Sequence, residues 1–88
     1  MTLSKTLVQR MDGDVTAIAN LIDATAGGAI FFGTNKGKVY KYLPEAATLD
    51  VVFSCDKAVL SLDMYSDTLF IGLAGGEFAK LSTGYLRA

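Results

Sequence analysis

Few residues of this chain could do covalent chemistry. It holds no histidine and a single cysteine, Cys55. Neither an imidazole base nor a Cys/His zinc set is therefore available. No nucleophile stands beside a base, so no catalytic residue is assigned; the chain is read as a non-enzyme, with no cofactor and no metal. Asp12-Gly13-Asp14 offers two carboxylates, but the other ligands of an EF-type calcium loop are missing. A turn capped by aspartate is the better reading. Gly33-Thr34-Asn35-Lys36-Gly37-Lys38 superficially suggests a phosphate loop. It lacks the Gly-x-x-x-x-Gly-Lys-Ser/Thr spacing and leads into a strand pattern instead of a helix. Gly72-Leu73-Ala74-Gly75-Gly76 fails in the same way. Both segments read as hairpin turns, and Cys55 reads as a small core residue.

The elements that carry these turns are short and strand-like. Strands are expected over Thr6–Met11, Val15–Ile22, Ala29–Thr34, Lys38–Leu43, Leu49–Cys55, Ala58–Tyr65, Thr68–Leu73 and Glu77–Ser82. Turn signals separate them, among them Asp12-Gly13-Asp14, Asn35-Lys36-Gly37, Asp56-Lys57 and Ser66-Asp67. Asp14–Ala26 has the Ala, Ile and Leu content of a helix. No sustained 3.6-residue period supports a helix, and its counterpart later in the chain is strand-like.

Composition limits the partners. Eight Lys/Arg offset nine Asp/Glu, a net charge of −1. No basic stripe exists to bind nucleic acid or an anionic membrane. No apolar run approaches the roughly 20 residues of a membrane span, and Met1-Thr2-Leu3-Ser4-Lys5 lacks the apolar core of a signal peptide. A soluble product made in the reducing cytoplasm is expected. An 88-residue chain buries only roughly 60–65% of its unfolded surface and needs help to be stable. Disulfide and zinc are excluded, which leaves oligomerisation. Only 19% of the residues are charged and 51% are hydrophobic, more apolar surface than one small core can hide.

The chain also repeats itself. Ile30–Tyr42 matches Leu69–Leu81 at a constant offset of 39, with Gly33 over Gly72 and Lys41 over Lys80. Leu7–Val15 matches Val51–Val59 at an offset of 44. The five-residue difference falls in the loop around Asp23–Gly28, where insertions are tolerated. Repeat 1 is residues 6–43 and repeat 2 is residues 50–82. The inner strands of each are apolar on both faces: Ile30 and Phe32 point one way and Phe31 the other. Sheets covered on both sides by neighbours show this pattern, whereas a simple sandwich alternates in nearly every strand. A monomeric eight-stranded barrel or sandwich is the competing fold.

The segments Phe32–Tyr42 and Ile71–Phe78 resemble repeats of the β-propeller superfamily, of WD-repeat-like type. Each has the apolar-apolar-Gly, polar turn, Gly-x-apolar hairpin between the second and third strands of a blade. The Trp-Asp dipeptide is absent, with Tyr42-Leu43 and Leu81-Ser82 in its place. The resemblance implies an all-β chain of two four-stranded propeller blades. Two blades cannot close a ring of about four to eight. Closure by homo-oligomerisation with N-terminal strand exchange is therefore expected, with Leu7, Val8, Gln9 and Met11 completing the last blade of a neighbouring copy. A homotrimer of six blades is favoured, then a tetramer of eight.

The resemblance further implies that turns from both blades share one rim. Asp12, Asp14, Asn35, Lys36, Asp56 and Lys57 are the candidate partner-binding residues there, set against a reading as solvated turn residues. Tyr40, Tyr42, Phe31, Phe32, Phe53, Phe70 and Phe78 are expected to pack between blades. Tyr65 and Tyr85 are expected at the surface. A ring of this economy resembles ring components of viral particles, notably phage heads and tails. That implies a structural or docking protein of a virion, bound to other proteins of a larger assembly. A lectin-like ligand-binding propeller is the alternative.

Overall fold

Turn chemistry divides the chain into strands. In the computed structural model, which describes residues 11–21 and 28–82, β1 spans Val15–Leu21, β2 Ala29–Thr34, β3 Lys38–Leu43 and β4 Thr48–Ser54. They are followed by β5 over Val59–Tyr65, β6 over Thr68–Leu73 and β7 over Phe78–Ser82. No helix occurs among the described residues; the alanine-rich stretch after Asp14 is strand as far as Leu21. Gly37, at φ 82°, closes the β2–β3 turn by donating its N–H to the Thr34 carbonyl at 3.2 Å. Pro44 presets the β3–β4 turn, which Ala46 N–H closes on the Leu43 carbonyl at 3.2 Å. Ala47 follows in the left-handed region at φ 54°, where glycine is the residue without strain.

The strands form two antiparallel sheets, β1-β2-β3-β4 and β5-β6-β7. The sheets share one register. Ala17 pairs with Gly33 and Ser61 with Gly72; Ile18 pairs with Phe32 and Leu62 with Ile71. Gly33 pairs with Val39 and Gly72 with Phe78. Even the irregularity recurs, between Val15 and Ala17 in β1 and between Val59 and Ser61 in β5. An offset of 44 thus relates β1 to β5, and an offset of 39 relates β2 and β3 to β6 and β7.

Two four-stranded blades were the expectation, the second completed by a neighbouring copy's N-terminal strand, and the second sheet has three strands among the described residues. The reason is local. Only residues 44–47 separate β3 from β4, a length that favours a hairpin. β4, which opens the second sequence repeat, therefore completes the first sheet. The sheets divide the chain between Ser54 and Val59. The expected strand Thr6–Met11, with Leu7, Val8 and Gln9, lies outside the described residues apart from Met11, which is in no strand.

One core lies between the sheets. Ala19, Leu21, Phe31 and Val39 of the first pack with Val59, Leu69, Ile71 and Leu73 of the second. Gly33 sets the spacing. A Cβ there would overlap Cγ1 of Val59 and stand 3.0 Å from its Cβ and 3.5 Å from Cδ1 of Leu62. β5 therefore rests directly on the backbone of β2. Thr16 reinforces the contact: its hydroxyl donates to the Val59 carbonyl at 2.5 Å and lies 3.2 Å from that of Gly33.

Gly33→Ala is expected to lower stability by about 1–3 kcal/mol through overpacking, read from the midpoint of urea unfolding. Ala47→Gly removes left-handed strain of about 1–2 kcal/mol and adds about 0.5–1 kcal/mol of chain entropy. A rise of a few degrees in Tm is the expected result.

Candidate functional site

The polar residues singled out in the sequence meet at one end of the two sheets. The segment before β1 folds against the β2–β3 turn. Asp14 N–H donates to Oδ1 of Asn35 at 2.9 Å, and Asn35 N–H donates to the Asp14 carbonyl at 3.0 Å. Gly13, at φ 92°, has no room for a side chain: a Cβ would stand 2.5 Å from both Asn35 Oδ1 and Lys36 Cγ. Asp12 N–H donates to the Tyr40 hydroxyl at 2.8 Å. Asp12, Asp14, Asn35 and Lys36 are thereby brought together.

Asp56 and Lys57 join this end through the link between the sheets. A Cβ at Gly37 would overlap the Cys55 carbonyl oxygen and stand 2.7 Å from that of Lys57. Cys55 N–H donates to the Gly37 carbonyl at 2.9 Å, and the Cys55 thiol lies 3.3 Å from the Lys57 carbonyl. Lys57 Nζ reaches across to within 3.9 Å of a Cβ placed on Gly75, in the β6–β7 turn. Asp56 is exposed on the same link.

The charges of this rim balance. Asp12 Oδ2 lies 3.9 Å from Lys38 Nζ, which also reaches Ser54 Oγ at 3.4 Å. An exposed pair at that distance contributes at most about 1 kcal/mol. The three aspartates and the three lysines, Lys36, Lys38 and Lys57, cancel in formal charge, so net charge selects neither an anion nor a cation here. Among the described residues no group of three His, Cys, Asp or Glu side chains could hold a metal ion. Several rim groups serve the rim itself: the Asn35 amide and the Tyr40 hydroxyl bind backbone N–H groups of residues 12 and 14.

Tyr40 and Lys38 were not among the rim candidates. Both sit on β3, and the contact from Tyr40 to Asp12 joins residues 28 apart. One signal was available: the repeat places Ala79 where Tyr40 stands, so the hydroxyl serves the first sheet alone. Asn35 is likewise replaced by Ala74, yet the backbone bond survives there, from Ala74 N–H to the Ala58 carbonyl at 2.9 Å.

Away from the rim, a cleft of about 120 Å³ opens between the sheets, lined by Phe31, Lys41, Val52, Leu81 and Ser82. Small-molecule sites start at about 300 Å³. Tyr65 is exposed as expected, at 73%. Phe78, expected to pack between sheets, is 68% exposed. It lies on β7, whose only partner strand among the described residues is β6. Tyr85 lies outside the described residues. No helix is long and apolar enough to cross a membrane among the described residues.

Tyr40→Phe is expected to lower stability by about 0.5–1.5 kcal/mol and to accelerate hydrogen exchange at the Asp12 amide, which NMR reads directly. Comparison with protein-family models, with curated proteins and with solved structures finds no match.

Proposed function

We propose that this chain is a non-catalytic structural or docking protein that closes a β-propeller ring by assembling with copies of itself. One observation carries the reading: the second sheet repeats the first strand for strand and register for register over β5, β6 and β7, and among the described residues it has no counterpart of β4. An open sheet edge is a template for another strand. In the proposed ring, Leu7, Val8 and Gln9 of a neighbouring copy supply that strand along β7, and Met11 follows directly after it. Such a contact is head-to-tail and repeats until the ring closes. Three copies give six blades, within the range that rings adopt.

The rim of Asp12, Asp14, Asn35, Lys36, Asp56 and Lys57 is the proposed docking surface for other proteins of a larger assembly, such as a phage particle. Its balanced charge suits a mixed polar protein surface. The lectin-like alternative needs one equivalent site per blade. Asn35 and Tyr40 stand opposite Ala74 and Ala79, and the inter-sheet cleft is small, so docking is the better supported reading.

Light scattering is expected to give about 28 kDa, three chains of 9.3 kDa; a mass near one chain overturns the ring. Deleting residues 1–9 is expected to break the assembly into aggregating fragments, and an unchanged soluble oligomer overturns strand exchange. Pull-down from the native host is expected to recover a symmetric particle; recovery of glycans alone, with no protein partner, overturns docking.

A further inference from the structure

The described residues include six large hydrophobic side chains left exposed: Val15, Ile18, Val51, Leu60, Tyr65 and Phe78. Five of them stand at repeat positions of residues that build the contact between the two sheets. Val15 and Ile18 correspond to Val59 and Leu62, which pack on Gly33. Leu60 corresponds to Thr16, whose hydroxyl reaches the Val59 carbonyl of the facing sheet. Tyr65 and Phe78 correspond to Leu21 and Val39, both buried in the shared core. The three atoms nearest a Cβ placed on Gly72, the counterpart of Gly33, all belong to Ser61 of its own sheet.

These residues divide between two separate faces. Val15 and Ile18 lie on the outward face of β1. Gly72 and Phe78 lie together on the outward face of the second sheet, where they are register partners. The first set is the repeat image of what sits on Gly33, and the second is the repeat image of what lies beneath it. A face that matches its own chain's other free face joins copies head to tail.

We infer that a second copy of this chain covers the outer face of the second sheet, its Val15 and Ile18 seated over Gly72 beside Phe78, repeating between chains the contact that Val59 and Leu62 make with Gly33 within one. The turns agree. Gly37 is buried against the carbonyls of Cys55 and Lys57, whereas a Cβ placed on its counterpart Gly76 would meet nothing within 4 Å. The repeat images of Cys55 and Lys57 are Met11 and Gly13, which the next copy would bring to Gly76. The seam between copies is also more polar than the one within the chain. Asp63 and Asn20 stand where Ala19 and Met64 pack in the shared core.

This inference rests on the ring reading, and three samples separate the two. Wild-type chain is measured first by light scattering; a mass near 9.3 kDa overturns both. If wild type is oligomeric, Gly72→Val and Ile18→Asp are each expected to reduce the mass to that of one chain. Strand-type circular dichroism is expected to be retained, since Ile18 is exposed and Ser61 Oγ can rotate away from a Cβ at Gly72. A 1:1 mixture of the two variants is expected to give a dimer of about 19 kDa, two chains of 9.3 kDa, because one intact face remains on each. Phe78→Glu, at an exposed position, replaces Gly72→Val if that variant does not fold. Folded variants that keep the wild-type mass overturn the interface and leave the ring standing. Variants that dissociate but do not pair in the mixture overturn its head-to-tail sense.

Discussion

The approach of β5 to the bare backbone at Gly33 is the contact on which the structure depends. Sheets usually pack about 10 Å apart with side chains between them. Here one side chain is missing, and Val59 fills its place with no exposed surface left. Leu62 and the Thr16 hydroxyl close around the same point. The shared core follows from this contact, because it sets which face of each sheet is covered. The first sheet buries the side that carries Ala19, Phe31 and Val39, and the second buries the side that carries Leu69, Ile71 and Leu73.

Equivalent residues therefore meet opposite fates. Val39 has no exposed surface and Phe78 is 68% exposed, though each pairs with the glycine of its own sheet. Val59 is fully covered and Val15 is 45% exposed. Chemistry and register are alike; the difference lies in what stands across from each face. An apolar residue is stable in water or in a core according to its neighbours, and repeats stack because each unit's face suits the next.

Much of the fold could be read from residue order. Glycine and asparagine turns marked the strand ends within a residue or two, and the offsets of 39 and 44 in the sequence reappear as two sheets in one register. The similarity of Val51–Val59 to Leu7–Val15 groups β4 by sequence with the strands after it. The short loop after Pro44 decides otherwise, and loop closure over four residues is a stronger local constraint than likeness of sequence. At the rim, acidic and amide turn residues were legible as turn formers; the Asn35 amide behaves so, accepting from the Asp14 N–H, while Asp14 takes part through its backbone. The Tyr40 hydroxyl was not legible, because its partner is a backbone N–H brought near by folding and no residue type announces it.

The link from Cys55 to Ala58 carries a geometric consequence. It is four residues long, and its carbonyls press on Gly37 with no room for a methyl group. A link so short, packed so closely on Gly37, restricts how the two sheets can turn relative to one another. In the proposed ring, the angle within one chain and the angle at the seam between copies would together set the curvature. Part of that curvature would then be written at Gly37, in the absence of a single carbon atom.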